Sequence, residues 1–453
     1  MTKEATEGNQ LTRKLGLFPV SSIVVANMIG AGIFTTSGLL MKDLLHPGVM
    51  LGLWVIGGLI ALCGALSYGE LGAAMPRAGG EYVFLSRLFH PVIGFLSGWV
   101  SFFVGFSAPI AASAIGFSEY LARAWPEFFR PGLLPAESEP AILKKACAIL
   151  VIFGFTYLHT RGLELGAKIQ NALTVLKVGL IVILVAAGLF SGKGDPANFV
   201  AAGEYTLDFG GVKTLGLALM WIMFAYSGWN ASAYIGSEIK DPEKNLPRSL
   251  IIGTGIVVVL YLGLNAFYVY SLSPAEMAGV ISIGGLAAGK LFGTAAECVI
   301  SVMIAFALFS SLSAFVIIGP RVYYAMARDG VFFRSMAKVD ARHGVPSRSI
   351  WLQGAIAVVM VLFGTFDQLL TYMGFSLGIF PILAVIGLFK LRRSGLGRIK
   401  LPGFPLAPAI YIVFGTLILV LSFLERPVES SIAAATVLIG IPVYVLFKKY
   451  GAG

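Results

Sequence analysis

Charge is scarce in this sequence. Only 12% of its 453 residues are Asp, Glu, Lys or Arg, about half the share in soluble domains, which excludes an ordinary water-soluble domain. Cysteine is scarcer. Cys63, Cys147 and Cys298 stand singly in apolar stretches, so neither a disulfide framework nor a thiolate metal site is expected. Of four histidines, His46, His90 and His159 fall near the ends of apolar runs and His343 in a polar loop. No metal-ligand cluster and no nucleophile–base pair emerges. No catalytic residue, metal or cofactor is therefore assigned, and an enzyme is not expected. A small-residue cleavage site after a short apolar core is also missing, so no secretory signal peptide is expected.

Long hydrophobic runs are what the chain has in abundance. Hydrophobic residues make up 57% of it, and the mean hydropathy is +0.86. Many runs reach the ~20 residues that span a bilayer as a helix. Twelve spans are expected, at 16–39, 46–73, 92–123, 142–160, 166–191, 212–236, 248–272, 288–326, 348–365, 368–390, 404–424 and 428–447. The third and eighth are long enough to tilt or to project from the membrane. The fold class is thus an all-α polytopic membrane protein, with residues 1–453 forming one transmembrane domain.

The net charge of +10 does not indicate nucleic-acid binding, because its distribution follows membrane topology. With the N-terminus placed inside, 23 of the 33 Lys and Arg fall in cytoplasmic segments, 9 fall outside and Lys177 lies within a span. This positive-inside asymmetry puts both termini in the cytoplasm of a multi-pass protein of the plasma or inner membrane.

Two spans contain residues that suit a lipid-facing helix poorly. "NMIGAGIF" (27–34) puts Gly30 and Gly32 near the middle of the first span, although glycine costs about 1 kcal/mol against alanine in a helix. "FAYSGWN" (224–230) puts Tyr226, Ser227, Gly228 and Asn230 within the sixth. The two segments start corresponding halves of a five-plus-five arrangement, and glycine-interrupted spans in corresponding places point to a transporter's midplane site. Breaking a helix frees N–H groups on one side and carbonyls on the other. The N–H groups suit a carboxylate and the carbonyls an ammonium. A substrate carrying both on one carbon is an α-amino acid.

Four stretches carry a family resemblance: "IGAGIF" (29–34), "ALSYGELGAAMPRAGGEYVFL" (65–85), "FAYSGWN" with the following "EIKDPEKNLPRSL", and "GPRVYYAMARDG" (319–330). The chain resembles the amino acid–polyamine–organocation (APC) permeases, nearest their L-type amino acid transporter (LAT) branch. The resemblance implies a LeuT-type 5+5 inverted repeat with broken helices 1 and 6. Its first repeat is then 16–191, its second 212–390, and helices 11 and 12 lie at 404–447. It also implies alternating access. The amides of Gly30, Ala31 and Gly32 are expected on the substrate carboxylate, and the carbonyls of Met28, Phe224 and Ser227 on its amino group. Phe224 matches the aromatic gate that closes over substrate, and Asn230 is a candidate polar contact to substrate or to helix 1. Ala31 stands where the family often has serine, so backbone must do more of the binding.

Lys177 sits about nine residues into the fifth span, or ~13 Å at 1.5 Å per residue, and an ionisable group at that depth is a functional candidate. The resemblance implies that it replaces a sodium ion held by sodium-coupled relatives, with its ammonium between the helix 1 break and Ser311. Sodium-independent transport follows, by exchange or by proton symport, with protons as a candidate partner. Glu70, Arg77 and Glu81 form a weaker candidate for a cytoplasmic gate network, and Glu119 and Glu297 read as span-boundary charges. Spans 1 and 6 bring no acidic side chain to the expected site, so neutral L-amino acids are the expected substrates. Polyamines or cationic amino acids are the alternative. LAT-type relatives bond a heavy-chain glycoprotein through a cysteine in the loop after helix 3. Here that loop, 125–141, has none, so no disulfide-linked heavy chain is expected there.

Overall fold

A computed structural model describes residues 11–130, 132, 139–200, 208–280, 282–363, 366–395 and 399–450. Residues 131 and 133–138, within the loop where no cysteine is found, lie outside that set. The described chain is helical without a strand, apart from isolated bridges pairing Leu15 with Ile239 and Ala78 with Ile235.

Among the described residues, seventeen α-helices follow one another. They are α1 (Leu17–Met28), α2 (Ala31–Leu44), α3 (Pro47–Ala74), α4 (Glu81–Leu88), α5 (Pro91–Ala124), α6 (Glu139–Thr160), α7 (Leu163–Leu189), α8 (Phe209–Ala225) and α9 (Ala231–Tyr234). Then come α10 (Pro242–Ser271), α11 (Pro274–Met277), α12 (Ile283–Phe292), α13 (Thr294–Arg328), α14 (Ser347–Phe363), α15 (Phe366–Arg393), α16 (Leu406–Glu425) and α17 (Pro427–Tyr450). Among the described residues, nine stretches are long and apolar enough to cross a membrane, α1 and α2 counting as one. Two further expected spans, α8 and α14, are apolar but only 17 residues long.

Local chemistry sets several boundaries. His46 and His90 cap α3 and α5, their Nδ1 atoms accepting from Val49 and Val92 at 3.3 Å, each followed by proline in the first turn. That position suits proline, whose missing N–H has no intrahelical partner there anyway. The long eighth run is not one helix. It divides into α12 and α13 at Gly293, whose φ of +88° turns the chain. The third span stays continuous but widens into a π-helical turn over Ser101–Ser107, a distortion that recurs at functional sites.

Burial separates a central set of helices from a peripheral one. In an 18-residue apolar window of each span, 72% of the residues are buried in Leu17–Leu44, 83% in α5 and 78% in α13, against only 17% in α6, 28% in α16 and 22% in Ser430–Lys449. The outer helices present side chains such as Leu150, Val413 and Leu438 outward, as lipid requires. In the centre α1 packs on α7, α10 and α13, and α8 packs on α2, α3 and α16.

Candidate functional site

Both interruptions are present, and both are narrower than their sequence motifs. In the first, α1 ends at Met28 and α2 begins at Ala31, so only Ile29 and Gly30 leave the helix. Gly32 belongs to the first turn of α2. A β-carbon on it would lie 2.7 Å from the Ala225 Cα, so this glycine permits close approach of α2 to α8. In the second, α8 ends at Ala225 and a turn through Tyr226–Asn230 leads into α9. Gly228 has φ +96°, and a β-carbon there would lie 2.4 Å from Asn27 Nδ2 and 2.9 Å from the Asn27 backbone. The two breaks therefore face one another, each with a glycine at the closest approach.

The freed backbone groups divide as the break physics requires. No side chain caps α2, and the amides of Ala31 and Gly32 find no acceptor among the described residues. The freed carbonyls are largely engaged. Met28 O accepts from the Gly30 amide at 2.9 Å and from the Tyr261 hydroxyl at 2.7 Å. The same hydroxyl reaches Ala225 O at 2.9 Å, so one side chain of α10 bridges both broken helices. Phe224 O accepts from the Ser227 amide at 2.9 Å. Of the three carbonyls expected to hold an amino group, that of Met28 already carries two hydrogen bonds.

Lys177 is buried in the centre, 1% exposed. Its ammonium donates to the carbonyl of Ile29, to Ala26 O at 3.2 Å and to Ser311 Oγ at 3.0 Å. Ser311 in turn donates to Ile29 O. The expected juxtaposition of Lys177, the helix 1 break and Ser311 is thus present in the geometry.

A cavity of about 120 Å³ opens beside the breaks. An apolar cavity of about 150 Å³ holds benzene, so this volume is on the scale of a small organic molecule such as an amino acid. Asn27, Phe224, Ser227, Gly228 and Asn230 line it from the broken spans, with Ser101 and Phe106 of the π-helical turn opposite. Tyr411, Ile418 and Leu419 of α16 close another side. Met28, Gly30, Ala31, Gly32, Lys177 and Ser311 are not among the lining residues; they brace the wall from behind. The Asn27 side chain is 4% exposed, and its Oδ1 has no hydrogen-bond partner.

Glu81 was missed by reasoning from spans 1 and 6, because it starts α4 and reaches the cavity from outside both. Its Oε1 accepts from Asn230 Nδ2 at 2.7 Å and from the Tyr234 hydroxyl at 2.9 Å. Asn230 is therefore tied to this carboxylate rather than to helix 1. Glu81's two partners in the weaker gate candidate lie elsewhere. Glu70 accepts from Nε and Nη2 of Arg392, each at 2.7 Å, and from the Leu401 amide at 3.0 Å. Arg77 pairs with Asp329 at 3.3 Å. Glu119 meets Lys144 at 2.7 Å on the surface, as a boundary charge would. Among the aromatic residues near the site, Phe106 and Phe315 line the cavity. Phe102 meets Tyr323 edge-on, and Phe309 stacks face to face on Phe117.

A sequence profile described as "Amino acid permease" matches residues 15–447. Relatives extend over nearly the whole chain. Asc-type amino acid transporter 1 of Mus musculus is 29% identical over 449 residues, 98% of this chain and 82% of its own length. The b(0,+)-type amino acid transporter 1 of Mus musculus is 28% identical over 452 residues, 98% and 89%. Large neutral amino acids transporter small subunit 2 of Homo sapiens is 28% identical over 456 residues, 97% and 81%. With its all-helical, lipid-facing architecture and two broken helices meeting at a cavity, the chain belongs to the amino acid permease family of multi-pass membrane transporters and is not an enzyme.

Proposed function

We propose that this permease moves neutral L-amino acids across the plasma or inner membrane by alternating access, without sodium, as an exchanger or a proton symporter. The observation that carries the reading is the meeting of the two breaks at an amino-acid-sized cavity. The carbonyls of Phe224 and Ser227, both lining residues, suit an ammonium, and the unpaired amides at Ala31 and Gly32, behind the wall, suit a carboxylate that reaches them as the breaks move in alternating access. The Asn27 amide offers either partner. The remaining wall is mainly apolar, with Met220, Phe106 and Ile418 among its residues, which fits an uncharged side chain. One relative's printed name specifies large neutral amino acids. Phe224 lines the cavity and is the gate in this reading.

The fixed ammonium of Lys177 occupies the place between helices 1, 5 and 8 and repels sodium there. In this account Lys177 and Ser311 set the position of the helix 1 break, and the coupling role belongs to them. Twelve spans, two inverted halves (16–191 and 212–390) and cytoplasmic termini complete the architecture we infer, with α8 and α14 as the short spans. With no cysteine at 125–141, no disulfide to a heavy chain forms at that loop.

One observation favours the alternative of cationic amino acids or polyamines. Glu81 supplies a carboxylate in the cavity wall. A thermal-shift screen of the detergent-purified protein with the twenty amino acids and several polyamines separates the two. A ligand stabilises by RT ln(1 + [L]/Kd). Stabilisation by small or large neutral amino acids supports the first reading, and stabilisation confined to lysine, arginine or polyamines replaces it with the second.

A further inference from the structure

Among the described residues, Glu81 is the only charged side chain lining the cavity. It is 5% exposed. It follows Gly79 and Gly80, whose φ values of +115° and +50° fold the preceding loop so that α4 starts at the cavity. A buried carboxylate ordinarily has a cation against it, because leaving it unpaired in a low-dielectric interior is too costly. Glu81 has none. Among the described residues no Lys, Arg or His forms an ion pair with it. Its partners are all neutral: Asn230 and Tyr234 on Oε1, and the Ser97 hydroxyl of α5 on Oε2 at a long 3.5 Å. The other titratable groups facing it are phenols, Tyr68 from α3 and Tyr411 from α16.

We propose that Glu81 takes up and releases one proton in each transport cycle, so that the permease carries its amino acid together with a proton. This deepens the reading of an amino acid permease given above and rests on it. The step is a simple protonation. The carboxylate accepts a proton from water in the cavity when it is open to one side. It returns that proton to water when the cavity opens to the other side, and no other bond changes. The placement gives the proton a mechanical consequence. Asn230 ends the break of the sixth span and Tyr234 lies just beyond it, in the segment that alternating access must move. Charge-assisted bonds to an ionised carboxylate are about twice as strong as neutral ones. Ionised Glu81 therefore holds α4 and α9 together, and protonated Glu81 loosens them. Lys177, whose ammonium already has three acceptors, keeps the mechanical part of the coupling by holding the helix 1 break, and the proton itself moves on Glu81.

Wild-type protein and Glu81→Gln in proteoliposomes test the proposal with a labelled amino acid chosen from the thermal-shift screen. Wild type should accumulate it when the outside is made acidic, with a limit of about tenfold per pH unit for one proton per substrate. Glu81→Gln should lose that accumulation, with whatever counterflow it retains being the same with and without the gradient, and its thermal midpoint reports folding. Glu81→Asp, which keeps a carboxyl, should restore part of it. Gradient-driven accumulation by the glutamine variant overturns the proposal, as does a wild type that exchanges amino acids indifferently to the gradient. Should lysine or putrescine stabilise wild type and not Glu81→Gln, with no gradient effect, the carboxylate serves a cationic substrate and the proton role is wrong. If no amino acid is stabilising or exchanged by wild type, the amino acid reading itself fails, an outcome distinguishable from all the others.

Discussion

The Lys177 ammonium donates to the carbonyl of Ile29, the residue at which the first span stops being helical. A break exposes carbonyls that lipid cannot satisfy, and here a cation from the fifth span satisfies two of them, at Ala26 and Ile29. Lys177→Ala leaves Ala26 O unpaired and Ile29 O with Ser311 as its remaining donor, at about 1–3 kcal/mol for a buried acceptor left without a partner. The expected result is loss of most transport in proteoliposomes, with substrate binding by thermal shift reduced less. Uptake at the wild-type rate would show that the break is held in place by other contacts.

Tyr261 makes a related prediction. One hydroxyl shared between Met28 O and Ala225 O ties the ends of α1 and α8 to α10, within an aromatic cluster with Trp54 and Tyr226. Tyr261→Phe keeps the ring packing and removes only that tie. Stability should fall by about 1–3 kcal/mol, read as a lower thermal midpoint, and substrate should bind more weakly because both breaks lose register. Unaltered binding with lowered stability would confine the hydroxyl to a packing role.

The glycine of the second break is more constrained. At Gly228 a β-carbon meets Asn27, and its φ of +96° disfavours any side chain, a conformational cost of about 1–3 kcal/mol before the clash. Gly228→Ala should therefore abolish transport and substrate-induced stabilisation together. By contrast, Gly179 has open space where a β-carbon would stand. Gly179→Ala should leave transport near wild type, and equal damage from the two variants would count against a special role for the break.

The membrane class, most of the span positions and both breaks were legible in the sequence, because hydropathy and misplaced glycines are local signals. The juxtaposition of Lys177 with the first break and Ser311 was reachable through family resemblance alone, since those residues are far apart in sequence. Other features depended on tertiary geometry. Gly32 looked like a ligand-approach residue, yet it faces Ala225 across a helix contact, and small residues serve both purposes alike. Glu81 looked like one member of a loop charge cluster. It parts from Glu70 and Arg77 because two positive-φ glycines direct it inward, a turn that the charge pattern does not encode.

Outside the spans, Glu276 offers a pH test. The Lys290 ammonium and then the Ser273 amide hold its carboxyl well down, to about 2 from 4.5. A carboxylate depressed in the folded state stabilises above its unfolded pKa and loses that contribution as pH falls through the folded one. The window therefore runs from about pH 4.5 down to about 2. The pair is 41–55% exposed, which limits it to about 1 kcal/mol or less. Glu276→Gln should lower the thermal midpoint slightly at pH 7, and the difference from wild type should shrink toward pH 3. A difference that grows on acidification contradicts the assignment.

Arg321 and Glu238 form the most buried ion pair among the described residues, with exposures of 2% and 0% and a two-pronged contact at 2.8 and 2.9 Å. Arg321 also donates to Ile317 O, and the Glu238 backbone carbonyl accepts the amides of Lys14 and Leu15. The pair therefore joins α13, the exit of the sixth span and the segment leading into α1. Removing one partner strands a buried charge, so Arg321→Met or Glu238→Leu alone should cost about 3–5 kcal/mol. The double variant replaces charge with apolar bulk and should recover much of that loss, giving a large coupling in a double-mutant cycle. Transport then separates two roles. A double variant that is stable and transports normally assigns the pair to folding alone. One that is stable but transports slowly assigns it to the movement of the sixth span against α13, the expected outcome given that Glu238 lies four residues beyond Tyr234, a partner of Glu81.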